Sequence, residues 1–141
     1  MKKQVMFILV SFFVALFAAT VSAAADVVFH NANQSLLGWN AVTTDVDGDP
    51  CVCIYEVLIA NKATDPEKTN PTVIPVETVQ YLITLGVKGR YYVGVRAVID
   101  DEEGDLKSGI NWADDPDYQT VAPFGIKYLA LPNVPLDIHG P

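Results

Sequence analysis

The sequence predicts an all-β fold: a two-sheet antiparallel β-sandwich of about seven strands, with a further strand appended on the C-terminal side. Three observations carry that expectation. Beyond Asp26 the apolar residues come in short runs cut by Gly, Pro, Asn and Asp, and no stretch keeps a 3.6-residue period. The segment RYYVGVRAVID, residues 90–100, alternates: Tyr91, Val93, Val95 and Ala97 point one way, Tyr92, Gly94, Arg96 and Val98 the other.

The elements follow in order. Residues 1–23 read as a secretory signal peptide, with Lys2 and Lys3, an apolar run over 5–21, and the small-residue sites Val21-Ser22-Ala23 and Ala23-Ala24-Ala25. That run is short for a bilayer span, so cleavage and no membrane attachment are expected. The product is then secreted, periplasmic or held at the cell surface. Residues 24–118 form the sandwich and 119–141 an extension. Strands are expected over 27–30, over 35–41 with Leu37 and Trp39 on one face, and over 51–60 with Tyr55, Val57 and Ile59 inward. Residues 61–75 read as a loop because Pro66, Pro71 and Pro75 bar a central strand. A strand over 76–85 carries Val79, Tyr81 and Ile83, and a turn at 86–89 leads into the alternating segment. The inward parity of Trp39, Tyr55, Val57, Ile59, Tyr81, Ile83, Tyr91, Val93 and Val95 fills one layer between two sheets.

Two places break this regularity. The outward parity of the third strand, Val52, Ile54, Glu56, Leu58 and Ala60, is too apolar for a wet face, so a cover is expected from the tail, a second copy or a partner. In the tail, Phe124, Ile126, Tyr128 and Ala130 alternate before Pro132, Pro135 and Pro141. With 107–113 as the seventh strand, FGIKYLAL becomes an appended eighth that docks on its own domain or on a neighbour. The alternative makes FGIKYLAL the seventh and leaves a 24-residue connection over 100–123.

The Trp in LLGWNAV (36–42), the Tyr-led strand YEVLI (55–59) and the passage YLITLGVKGRYYVGVRAV (81–98) together resemble a fibronectin type III domain over about residues 26–113. The resemblance implies a seven-strand sandwich that serves as spacer, adhesion module or binding platform. It also implies a corner in which Leu85 precedes the turn and the hydroxyl of Tyr91 bonds back to main chain. The family's Pro-Gly reads Lys88-Gly89 here, which leaves Val87 and Tyr92 as alternative occupants.

Charge narrows the partners. Loss of 1–23 removes two of the nine Lys plus Arg and none of the seventeen Asp plus Glu, so the processed chain carries −10. That field repels polyanions, and nucleic acid is excluded as a partner. The expected partner is a protein or a glycan, with self-association as the alternative.

Strand order brings two acidic loops to one pole: TDVDGDP with Asp45, Asp47 and Asp49, and DDEEGD with Asp100, Asp101, Glu102, Glu103 and Asp105. Crowded carboxylates suit a hard oxygen-liganded cation, so Asp45, Asp47, Asp49, Asp100 and Asp101 are the candidate Ca²⁺ ligands. The order of acids and Gly departs from an EF-hand loop, and the plainer reading is a solvated turn. No other cofactor is expected.

Cys51-Val52-Cys53 has neither redox nor zinc spacing. In an extended strand the two sulfurs sit near the outer limit for a bridge, leaving paired thiols, a local bridge or an intermolecular bridge as readings. His30 and His139 stand in no recognisable triad, and no enzyme is expected. Asn33-Gln34-Ser35 matches a glycosylation acceptor, relevant only to a eukaryotic secretory route.

Overall fold

The computed structural model describes residues 26–102, 104–117, 119 and 121–129. The expected signal peptide, Glu103, His139 and the proline-bearing end of the extension lie outside the described residues.

The described residues form nine strands and no helix. They are β1 (Val28–Asn31), β2 (Gln34–Gly38), β3 (Ile54–Asn61), β4 (Thr72–Val76), β5 (Gln80–Thr84), β6 (Gly89–Ile99), β7 (Leu106–Lys107), β8 (Asn111–Trp112) and β9 (Phe124–Tyr128). The larger sheet runs β1-β9-β6-β3-β4, with β7 and β8 also on β6, and the smaller sheet is the β2–β5 pair. Leu37 and Ile83 of the smaller sheet share one core with Val57, Val76, Val93 and Ile126 of the larger. Two sheets face each other across an apolar layer, consistent with a β-sandwich. Trp39 and Tyr81, expected inside, flank that core half-buried.

The tail strand is not an appendage. Residues 124–128 lie between β1, which they pair in parallel, and the first residues of β6, with Ile126 opposite Tyr91. Ile126 is 1% exposed. β7, β8 and β9 are successive pieces of one lane along the same edge of β6. Val98 faces Lys107, Gly94 faces Trp112 and Tyr91 faces Ile126. Between the last two pairs β6 moves back three residues while its partner advances fourteen, so eleven residues leave the ladder. The excursion closes at its base, where the Phe124 amide donates to the Ala113 carbonyl over 2.9 Å. Each sequence expectation for the seventh strand thus holds half of it, and by lanes the sandwich has seven.

β4 corrects a second expectation. Thr72–Val76 is a strand despite Pro75, because among the described residues it pairs only with β3 and its other side is a sheet edge, where a missing amide donor leaves no ladder bond unmade.

At the turn into β6 the Tyr91 hydroxyl donates to the Val87 carbonyl over 2.7 Å, with Leu85 and Tyr91 both buried. Tyr91, not Tyr92, closes the corner. Tyr92 points to the opposite face of the larger sheet, which is covered from within the chain. Lys62 sits over the rings of Phe29 and Tyr92, and Lys68 over Tyr92 and Trp112 while ion-pairing with Asp114 at 2.7 Å. Two strand glycines let the rings lie flat on the sheet. A Cβ at Gly94 would stand 2.8 Å from Trp112, and one at Gly125 would stand 2.6 Å from Phe29. Leu58 and Ala60, paired with Gly94 and Tyr92 on this outward parity, are accordingly buried.

Candidate functional site

Strand lengths decide where the molecule stays open. β6 has eleven residues and β2 and β5 five each, roughly 36 Å against 17 Å at about 3.3 Å per residue. The smaller sheet cannot cover the inner face of the larger one to its end. Beyond it, Ala97 and Ile99 of β6 and Leu106 of β7 face the 42–53 loop instead of a strand, and a groove of about 460 Å³ remains. Val42, Val46, Cys51 and Cys53 form its other wall, with Lys107 and Ser108 at the rim.

Local contacts hold that wall in shape. Tyr55, buried at the start of β3, receives the Val42 amide on its hydroxyl at 3.0 Å and meets Trp39 edge-on at 5.4 Å. Thr44 and Pro50 form a bridge, and the Cys51 amide donates to the Thr43 carbonyl. Asp45 is the knot of the turn: its Oδ1 accepts the amides of Asp47 at 3.0 Å and Asp49 at 2.9 Å, while Gly48 takes a φ of 90°. The tip carries Val46 and Val52 into solvent, 101% and 92% exposed.

The acidic residues share this pole but build no ion cage. Among the described residues no group of three or more His, Cys, Asp or Glu could hold a metal. Asp45, proposed as a Ca²⁺ ligand, is occupied by the turn it organises. The structure brings none of Asp47, Asp49, Asp100 and Asp101 into a common ligand set with it. Of these acids, Asp45 and Asp47 line the groove beside its apolar residues.

The basic side chains near the pole are tied down. Arg96 and Lys107 both pair with the half-buried Glu56 on the outward face. Burial alone would raise the Glu56 carboxyl, but the hydrogen bonds from Lys107 and Arg96 outweigh it and hold the group below its usual range. The cysteines lie before β3 begins, and their sulfurs are 3.0 Å apart. The hydrogen bond shared with Cys51, then burial, then electrostatic repulsion from Cys51 and Asp45 push the Cys53 thiol up to about 11.

Sequence reasoning did not find the groove, though Asp45 and Asp47, which it singled out, line it. The length mismatch was hidden because the strands expected over 35–41 and 76–85 are longer than β2 and β5; the only signal was apolar Val42, Val46, Ile99 and Leu106 beside acids. Compared with family models, curated proteins and solved structures, the chain matches none.

Proposed function

We propose that this chain is an exported, non-catalytic binding module of fibronectin type III type, and that its partner is a protein docking in the groove between the 42–53 loop and the ends of β6 and β7. The observation that carries the reading is the groove itself, an apolar floor left open by a sheet-length mismatch and bordered by the carboxylates of Asp45 and Asp47. Such a floor takes apolar side chains, and its rim favours Lys or Arg beside them. The processed chain's charge of −10 adds long-range attraction for a basic partner. Two features support the fibronectin type III reading: a hydroxyl-to-backbone corner at Tyr91 and a Trp directly after β2. The expected signal peptide supports export.

The test pairs capture with substitution. The processed chain, immobilised, is expected to retain a protein from its own cell-surface extract. Val46→Asp and Leu106→Asp should lose it, and raised salt should weaken it. Retention that survives both substitutions would place the binding surface elsewhere.

A further inference from the structure

We infer that Cys51 and Cys53 are a reversible dithiol–disulfide pair built into the groove wall, whose redox state sets the shape of that wall. The spacing objection to a local bridge assumes an extended strand. β3 starts only at Ile54, and the chain ahead of it turns so that the two sulfurs converge to 3.0 Å. A bond requires them to close to about 2.05 Å, roughly one ångström further. Both ends of the segment are fixed: the Cys51 amide is held by Thr43 at 3.0 Å, and Ile54 is paired with Val98 in the sheet. The residue between, Val52, is exposed and packs on nothing that would resist a local shift. Both cysteines line the open groove, so a disulfide reagent can reach them.

The chemistry balances with an oxidised small-molecule or protein disulfide as co-reactant. One cysteine, as thiolate, attacks that disulfide; its S–S bond breaks and one half leaves as a thiol. The second cysteine then displaces the other half. Two S–H bonds become one intramolecular S–S bond, and two electrons and two protons pass to the sulfurs of the oxidant. A bridge between residues two apart closes too small a loop to gain much chain entropy, and the strain of the ring makes it reducible. Such a pair exchanges with its surroundings instead of remaining a permanent staple. Closing it pulls residues 51–53 inward, and Val52 and the groove floor move with them.

The inference does not depend on what the groove binds. The processed chain is equilibrated in glutathione buffers from fully reduced to fully oxidised, quenched with acid, alkylated and weighed intact. Amide spectra are recorded at both extremes. The expected result is a monomer lighter by two hydrogens, bridged within one peptide, that passes from thiol to disulfide inside the glutathione range. Amide signals of 42–53 and 97–108 should shift while those of 89–93 stay. Cys51→Ser and Cys53→Ser, with one thiol each, should instead carry glutathione as a mixed disulfide. Four outcomes overturn the inference: thiols alkylated at every ratio, a bridge between chains, a bridge that survives fully reduced buffer, or a bridge that leaves the 42–53 amides unmoved. Should a single-cysteine variant fail to fold, the wild-type titration decides alone.

Discussion

The outer face of the larger sheet and the far end of its inner face start from the same difficulty, apolar strand surface with no opposing sheet. They meet it in opposite ways. On the outer face, Trp112 lies over Gly94 and Phe29 over Gly125, and Lys62 and Lys68 bridge these rings to Tyr92, so Leu58 and Ala60 are sealed by the chain itself. At the inner end a turn knotted by Asp45 stands off the sheet, and Val46, Val52 and Leu106 stay exposed. A face closed by contacts far apart in sequence stabilises the fold. A face left to a self-contained turn keeps apolar surface open.

Substitutions sharpen this contrast, beginning with the shared core. Ile126→Ala, in the strand that fills the lane beside β6, should cost about 2–5 kcal/mol in chemical denaturation. A loss near zero would detach that strand from the sheet. On the closed face, Gly125→Ala forces a methyl against Phe29 and against the Tyr91 carbonyl, 2.9 Å away, and Gly94→Ala forces one against Trp112. Each should cost about 1–3 kcal/mol, with Gly125→Ala the worse because backbone cannot step aside.

Acid provides a smaller and graded effect. Glu56 is lowered in the fold by Arg96 and Lys107 against the raising effect of burial, so its contribution is complete above about pH 4.5 and is lost as pH falls through the lower folded value. Melting temperatures taken down through that range should fall less for Glu56→Gln than for the parent. At the open end, Val46→Asp and Leu106→Asp should change stability by no more than about 0.5 kcal/mol. If either costs as much as Gly125→Ala, the groove is part of the core and the contrast fails.

Much of the closed architecture was legible in the residues. Parity alone placed Tyr55, Val57, Ile83, Tyr91 and Val93 inside, and the apolar outward parity of Leu58 and Ala60 signalled a cover. The identity of that cover was not legible, since Phe29, the pair Lys62 and Lys68, and Trp112 come from three separated stretches and meet only in the fold. β4 was missed because a proline forbids a central strand but not an edge. The shared lane of β7, β8 and β9 was missed because an eleven-residue excursion has no local periodicity, while its two flanks read as separate strands. At the pole, eight acids suggested an ion. The structure uses one as a turn knot and does not gather the five proposed ligands, and turn chemistry accounts for Asp and Gly there without a metal. The cysteines were read on an extended backbone that begins only after them.

The account rests most heavily on the open groove as the binding surface, and a peptide titration followed by amide spectra tests it directly. Two extended peptides with the same apolar centre, one flanked by lysines and one by glutamates, are added to the processed chain. The lysine-flanked peptide should bind more tightly, in a salt-dependent way, with shifts confined to residues 42–53 and 97–108. Equal binding of the two, or shifts centred on the Phe29, Tyr92 and Trp112 face, would contradict it.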